Sequence, residues 1–482
     1  MSVSLNQAAA GPSQGGRAPS GGRERSELGA SSTAGPSQGG RAPSGGRERS
    51  ELGVSDACAI DFGTSNSAIA VGGVDGTMQL VPLEGGQLTL PTAVFYLAEG
   101  PELHNLPRRF GRAAMAAYVE GLDGRLMRSL KSCLGTGLMD QATDIGAGRN
   151  LRFAEVIAAY LAHLKLTAEA ACGRTLRRVV MGRPVFFVDD DPVRDASAQA
   201  ALEAAARAVG FDEVVFQFEP IAAALHYEQT VTAEQHVLVV DIGGGTSDFS
   251  LVRVRPGGAA KQDRRDDVLA SHGVHIAGTD FDRRLSLAGP MRALGLGTFG
   301  PSVQGAPPRE VPSRIYHDLA TWHLINTLYS PQRLAELRAL KTNFADPKFY
   351  QRLNHVVLER LGHELAGQTE AAKIAVAAGG ETEIDLSLVE ARLAWPLTAA
   401  QADAALQVDV DRIVQAAIET VRLAGLVPDQ VDALYFTGGS TGLKFLVQAL
   451  QAPFSRAQSV QGDRLASVAT GLGLHAESCF SH

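Results

Sequence analysis

Cysteine is scarce in these 482 residues, tryptophan occurs twice, and long apolar runs are missing. The four cysteines, Cys58, Cys133, Cys172 and Cys479, never fall in a C-x-x-C pair, which argues against a disulfide framework and against a cysteine-ligated zinc site. No apolar run approaches the ~20 residues that a membrane-spanning helix needs, and the N-terminus lacks the compact apolar core of a secretory signal. A strong charge of one sign is lacking as well. Against 52 acidic residues stand 44 basic ones, and a net charge of -8 argues against a large nucleic-acid surface. The expectation is a soluble protein of the reducing cytoplasm, with no membrane and no nucleic acid among its partners. The length suffices for two or three domains with their own cores.

The first residues repeat themselves. "GPSQGGRAPSGGRERSELG" occurs at Gly11–Gly29 and again at Gly35–Gly53. Gly, Pro, Ser and Arg offer almost nothing to bury, so residues 1–53 are expected to form a disordered leader. From Val54 to Tyr96, short apolar runs broken by Gly, Asp and Pro read as β-hairpins. A helical patch is expected over Arg112–Leu134, helices over Leu151–Ala171 and Pro192–Val209, and a buried strand in Arg177–Val188. "EVVFQF" reads as a strand and "PIAAALHYEQ" as a helix opened by Pro220. The order then partly recurs: a hairpin at Gln235–Arg255, long helices near Ile315–Leu340, a Gly/Pro-rich loop at Gly295–Pro312, a helix over Ala399–Ala424 and the strand "VDALYFTGG". The pattern is α/β in two successive halves.

"VLVVDIGGGTSDFSLV", Val237–Val252, places a glycine cluster between two strands rather than between a strand and a helix. The hairpin tip must therefore carry the function. Gly243, Gly244 and Gly245 let amide groups approach an anion closely, and Thr246 adds a hydroxyl. Asp241 at the strand end would repel a phosphate unless a cation stood between them, and magnesium, which keeps most of its waters, suits that place. A second copy of the pattern, "CAIDFGTSNSAIAV" at Cys58–Val71, supplies Asp61, Gly63, Thr64 and Ser65. Two such tips, one per half, can face each other across a triphosphate.

These paired tips resemble the phosphate loops of the actin, sugar-kinase and heat-shock ATPase superfamily, and more narrowly the nucleotide-binding domain of the 70-kilodalton heat-shock chaperones. Further segments are similar in the same order: "FEPIAAALHYE" (Phe218–Glu228), "AGTDFDRRL" (Ala277–Leu285), "FTGGSTGLKFL" (Phe436–Leu446) and "SVATGLGLHA" (Ser467–Ala476). The resemblance implies a two-lobed actin-like, ribonuclease-H-like α/β fold with a deep nucleotide cleft between the lobes. Lobe I would span 54–232, lobe II 233–462, and a C-terminal helix in 463–482 would return to lobe I, with no substrate-binding domain after it. This would be the short, atypical chaperone-like branch of the family.

The resemblance implies an ATP/ADP site with Mg2+. Asp61, Asp241 and Glu219 would hold the metal through water. Gly63, Thr64, Ser65, Gly243, Gly244, Gly245 and Thr246 would contact phosphate, with Thr246 also near the attacking water. Lys131, in "RLMRSLKSCLG", would position the nucleophile; alternatively Arg125, Arg128 and Lys131, at helical spacing, form a solvated basic face. Glu370 and Lys373 would grip the ribose or, three apart, pair on the surface. Gly438, Gly439 and Ser440 would form the adenosine turn. Asp248 and Asp280 match acidic positions near the cleft or cap turns. Pro184 matches a relay proline or ends a strand, and Ala198 stands where the family carries an arginine. Ile374, Ala377 and Gly442 replace residues that contact adenine in the family, so adenine selectivity should be weak.

The expected function is a chaperone-like ATP-binding protein with slow, Mg-dependent ATP hydrolysis coupled to lobe opening and closing, acting with an unidentified protein partner or co-chaperone. A small-molecule kinase of the same superfamily and an actin-like filament-forming protein are the alternatives.

Overall fold

A computed structural model describes residues 56–480 except 74–76, 99–106, 140, 147–148, 189–190, 259–262, 303–306 and 464–465. The leader expected at 1–53 lies outside the described residues. Two sheets organise the rest. In the first, β1 (Ala57–Phe62), β2 (Asn66–Gly72) and β3 (Met78–Leu80) form an antiparallel meander. A long helix, α1 (Phe153–Cys172), follows, ended by Gly173 at φ +70°. Then β4 (Arg178–Arg183) joins β1 in parallel, and after α2 (Pro192–Ala208) β5 (Glu213–Phe218) extends the sheet to the order β5-β4-β1-β2-β3. The helix α3 (Glu219–Glu228) starts immediately, with Pro220 in its first turn.

The second sheet repeats this plan. Strands β6 (Gln235–Ile242), β7 (Ser247–Val254) and β8 (Val268–Val274) form the meander. β9 (Ala433–Thr437) and β10 (Gln458–Gln461) add in parallel, giving β8-β7-β6-β9-β10. Between β8 and β9 lie α4 (Gly278–Ala288), α5 (Gly362–Val376) and α6 (Ala399–Leu423). The helix α7 (Lys444–Gln451) follows β9, and α8 (Ser467–Phe480) closes the described chain.

Each sheet has a separate apolar core. Ile60, Phe62, Tyr160, Leu164 and Met181 belong to the first; Leu238, Phe249, Phe281, Ile413 and Phe436 belong to the second. A third, shared core joins them: Ala59 and Val180 of one sheet, Val237, Val239 and Tyr435 of the other, with Ile221, Ala222, Val468 and Leu472 from α3 and α8 between. Each fully buried Val, Ile or Leu side chain there stabilises the fold by roughly 1.5–3 kcal/mol. The two helices meet so closely that a Cβ on Gly471 would collide with the Ala222 carbonyl. The fold is thus the expected two-lobed α/β actin-like architecture.

Two sequence expectations need correction. The helix expected over Arg112–Leu134 ends at Val119, because Gly121 turns the chain at φ +69° and Gly124–Arg128 pairs with Ala93–Leu97 as a strand. The stretch Ile315–Leu340 is not long helices but three short pieces, Arg314–Leu319, Trp322–Tyr329 and Pro331–Ala339. Pro331 cannot continue a preceding helix, since it lacks the N–H that the turn before it requires.

Candidate functional site

The hairpin β6–β7 pairs Asp241 directly with Asp248 and closes its tip with the Gly243 amide donating to the Thr246 carbonyl at 3.0 Å. The tip's other carbonyls are drawn backward into the second lobe. Gly243 O accepts from the Gly278 amide at 3.2 Å and from Ser440 Oγ at 2.8 Å, and Gly244 O accepts from the amide and hydroxyl of Thr279, both at 2.8 Å. With the carbonyls so engaged, the amides of Gly244 and Gly245 take no acceptor among the described residues. An amide pair of that kind suits an anion. Packing behind the tip is tight: a Cβ on Gly278 would lie 2.7 Å from Ser440 Oγ, and one on Gly438, at φ +84°, would lie 2.5 Å from Asp241 Oδ1. The turn Gly438–Ser440 is therefore pressed against the same tip.

The tip of β1–β2 is held by a different device. Thr92 donates its hydroxyl to Gly63 O at 2.7 Å and its amide to Ser65 O at 2.9 Å, while its hydroxyl also sits 2.8 Å from Ser67 Oγ. Here too the carbonyls point back, and the amides of Thr64 and Ser65 take no acceptor among the described residues. The two tips face each other, since a Cβ on Gly244 would lie 2.9 Å from Ser65 Oγ.

Beneath the tips, acidic groups outnumber the cation among them. Lys131 pairs with Glu219, which stands at the first turn of α3. Burial pulls the Lys131 ammonium down, but Glu219, Asp61 and Asp248 outweigh it and hold it above its usual range. Asp61 is pushed up to about 8, first by burial and then by Glu219 and Asp241, with Lys131 opposing. Asp241 is pushed up to about 7 by burial, Asp248 and Glu219. Four carboxylates around one ammonium leave an excess negative charge that a divalent cation would neutralise. Among the described residues, no three His, Cys, Asp or Glu stand close enough to ligate a metal directly. Carboxylate oxygens are the donors that a hard divalent cation takes. Thr246 donates its hydroxyl to Asp248 Oδ2 at 2.8 Å, beside this charge.

Lys131 lies in a short 3-10 turn, Leu130–Cys133, after the strand that carries Arg125 and Arg128, so the three do not share a solvated helix face. The surface pair between Glu370 and Lys373 does not form either. Lys373 is buried and reaches Asp282 at 2.7 Å and the Gly278 carbonyl at 3.4 Å, while Glu370 is exposed. Burial pushes Asp282 up to about 6, with Lys373 opposing. Asp280 accepts from the Ala277 amide at 3.1 Å at the start of α4. Pro184 directly follows β4, Ala198 is buried in the first core, and Ile374 is 64% exposed.

Sequence reasoning missed Thr92, Thr279 and Asp282. A signal existed only for Asp282, the second carboxylate of "TDFD", and the rotation of α4 decides which of the two faces Lys373. The amide ties of Thr92 and Thr279 carry no sequence mark.

A family model described as Hsp70 protein matches residues 57–287. The chaperone protein DnaK of Thermotoga neapolitana is 33% identical over 228 residues, 47% of this chain and 34% of that protein. DnaK of Thermosipho melanesiensis gives the same values, and DnaK of Thermosipho africanus is 32% identical over the same shares. The matched part thus spans about a third of the length of these relatives. The match ends at Leu287, within the last turn of α4. Over residues 57–287, just under half of its length, this chain is similar to the Hsp70 family.

Proposed function

We propose that the opposed tips bind ATP or ADP with Mg2+ and that the chain hydrolyses ATP slowly, with hydrolysis linked to opening and closing of its lobes. The observation that carries this reading is the meeting of Ser65 and Gly244 above a carboxylate excess. Amides of Thr64, Ser65, Gly244 and Gly245 would hold the phosphates, with hydroxyls from Thr64, Ser65 and Thr246. Asp61, Asp241 and Glu219 would hold magnesium through water, and when bound it would neutralise charge on the phosphates. Lys131, fixed by Glu219, would orient the attacking water, and Asp248, accepting from Thr246, would hold that hydroxyl in place. Lys373, anchored by Asp282, and Glu370 would face the ribose. Gly438, Gly439 and Ser440 would bound the base. With Ile374 and Gly442 there, no cation would stack on the base, so the grip on adenine should be loose.

The relatives are named as chaperones, and a protein client or co-chaperone is proposed for this chain on that basis. Calorimetry with ATP, ADP and GTP, with and without magnesium, tests the reading. Metal-dependent binding that disappears in Asp241→Ala supports it, and unchanged ATP affinity in that variant removes the tip from the site. Lys131→Ala should keep binding and lose about a hundredfold or more in single-turnover hydrolysis; a native rate would take Lys131 out of the mechanism.

A further inference from the structure

The polar groups of the proposed site are shared unequally between its two ends. At the phosphate end, the amides of Thr64, Ser65, Gly244 and Gly245 take no acceptor among the described residues, and the carboxylates of Asp61 and Asp241 stand beneath them. Unspent amides beside surplus carboxylates suit a polyanion that carries a divalent cation.

The nucleoside end is built from two segments. Residues 370–377 close α5, residues 438–442 follow β9, and the Lys444 amide ties them together by donating to the Ala377 carbonyl at 2.9 Å. The two segments carry four polar side chains, Glu370, Lys373, Ser440 and Thr441, and three of these are already engaged within the protein. Lys373 is buried and gives its ammonium to Asp282 at 2.7 Å and to the Gly278 carbonyl at 3.4 Å. Ser440 donates to the Gly243 carbonyl at 2.8 Å, and the buried Thr441 donates to the Gly438 carbonyl at 2.7 Å. A ligand could recruit any of the three only by breaking a bond that it already makes. Glu370 is exposed, and a carboxylate accepts hydrogen bonds but donates none. Ile374, 64% exposed, and Gly442 offer neither a cation nor a ring for stacking. The cavity behind these segments, bounded by Val376, Ala377, Leu406 and Leu443, measures about 10 Å³, room for about one water and too small for a purine.

We propose that the ligand class of this site is the linear triphosphate itself, held with a divalent cation, and that a nucleoside attached to it adds little to the affinity. This rests on the nucleotide reading above. In the hydrolysis proposed there, a water oxygen bonds to the terminal phosphorus and the bond from that phosphorus to the bridging oxygen breaks. The electron pair stays on the leaving phosphate, and a water proton passes to solvent. No atom of the nucleoside takes part, so the same residues would cleave inorganic triphosphate to pyrophosphate and phosphate.

The test is isothermal titration of the full chain with inorganic triphosphate, ATP and adenosine, with the same excess of magnesium in cell and syringe. Triphosphate should bind within about tenfold of ATP, and adenosine should not bind at millimolar concentration. Triphosphate weaker than ATP by more than about tenfold, or adenosine binding at that concentration, overturns the proposal and leaves the ATP site standing. Binding of neither ATP nor triphosphate overturns the nucleotide reading itself, and this inference with it. Triphosphate binding without ATP binding removes the nucleoside from that reading and supports the triphosphate site. Ile374→Tyr then adds a ring at an exposed position where the fold tolerates it, and should shift the ratio of the two affinities toward ATP by about fivefold or more. An unchanged ratio means that the base lies away from Ile374, and overturns the assignment of the nucleoside end on which the proposal stands.

Discussion

The hairpins β1–β2 and β6–β7 share a topology, each continued by a third antiparallel strand and flanked by parallel strands, yet their tips are held by different means. The first tip has one glycine and is pinned by a buried threonine, Thr92, from its own lobe. The second has three glycines and is pinned by the start of α4 and by Ser440. The first lobe brings the ammonium, Lys131; the second brings the bare backbone and the turn Gly438–Ser440. Duplicated frames have therefore been divided between charge and shape.

The second tip depends on a glycine with no counterpart in the first. Gly438→Ala would force φ +84° on a residue with a Cβ and drive that atom into Ile242 and Asp241. A loss of about 4 kcal/mol in denaturant unfolding is expected, and a loss below 1 kcal/mol would mean the turn relaxes freely.

The base beneath both hairpins should respond to acid. His475 of α8 is buried against Gln217 of β5, and burial holds it down at about 4. A histidine in the unfolded chain titrates near 6.5, so the unfolded state binds the proton first. Stability is full above about pH 6.5 and falls as pH drops toward 4, by up to about 3 kcal/mol. His475→Leu should flatten that slope; an unchanged slope would assign it elsewhere.

The carboxylates of the two tips should differ in degree. Each is held above its ordinary range by burial and repulsion, so in the metal-free protein ionising it opposes folding as pH rises. Asp61→Asn and Asp241→Asn should therefore stabilise the metal-free protein at neutral pH, Asp61→Asn more, by about 1–2 kcal/mol after allowing for solvent in the crevice. Thermal unfolding with chelator present measures this, and a lowered midpoint in both would contradict the repulsion.

The smallest effects concern the pins. Thr92→Val removes two hydroxyl contacts in a buried place, and Ser440→Ala removes one at a more open place. Losses of about 1.5 and about 1 kcal/mol are expected. Equal losses would erase the distinction between the tips.

The hairpins, the crossing helix and its opening Glu-Pro pair were legible because apolar alternation, glycine clusters and Pro220 are local signals. Asp61 and Asp241 were legible for the same reason, as strand-end carboxylates beside glycines. What escaped depends on rotation and distance. The spacing of Arg125, Arg128 and Lys131 mimics a helix, while pairing of Gly124–Arg128 with Ala93–Leu97 overrides it. Lys373 has Glu370 near it in sequence but finds Asp282 through the packing of α4 against α5.

At Gly471 and Ala222, main chain rests on main chain with no side chain between to deform. The spacing of α3 and α8 is therefore set by the absence of a single methyl group, and any side chain at position 471 would have to push two backbones apart.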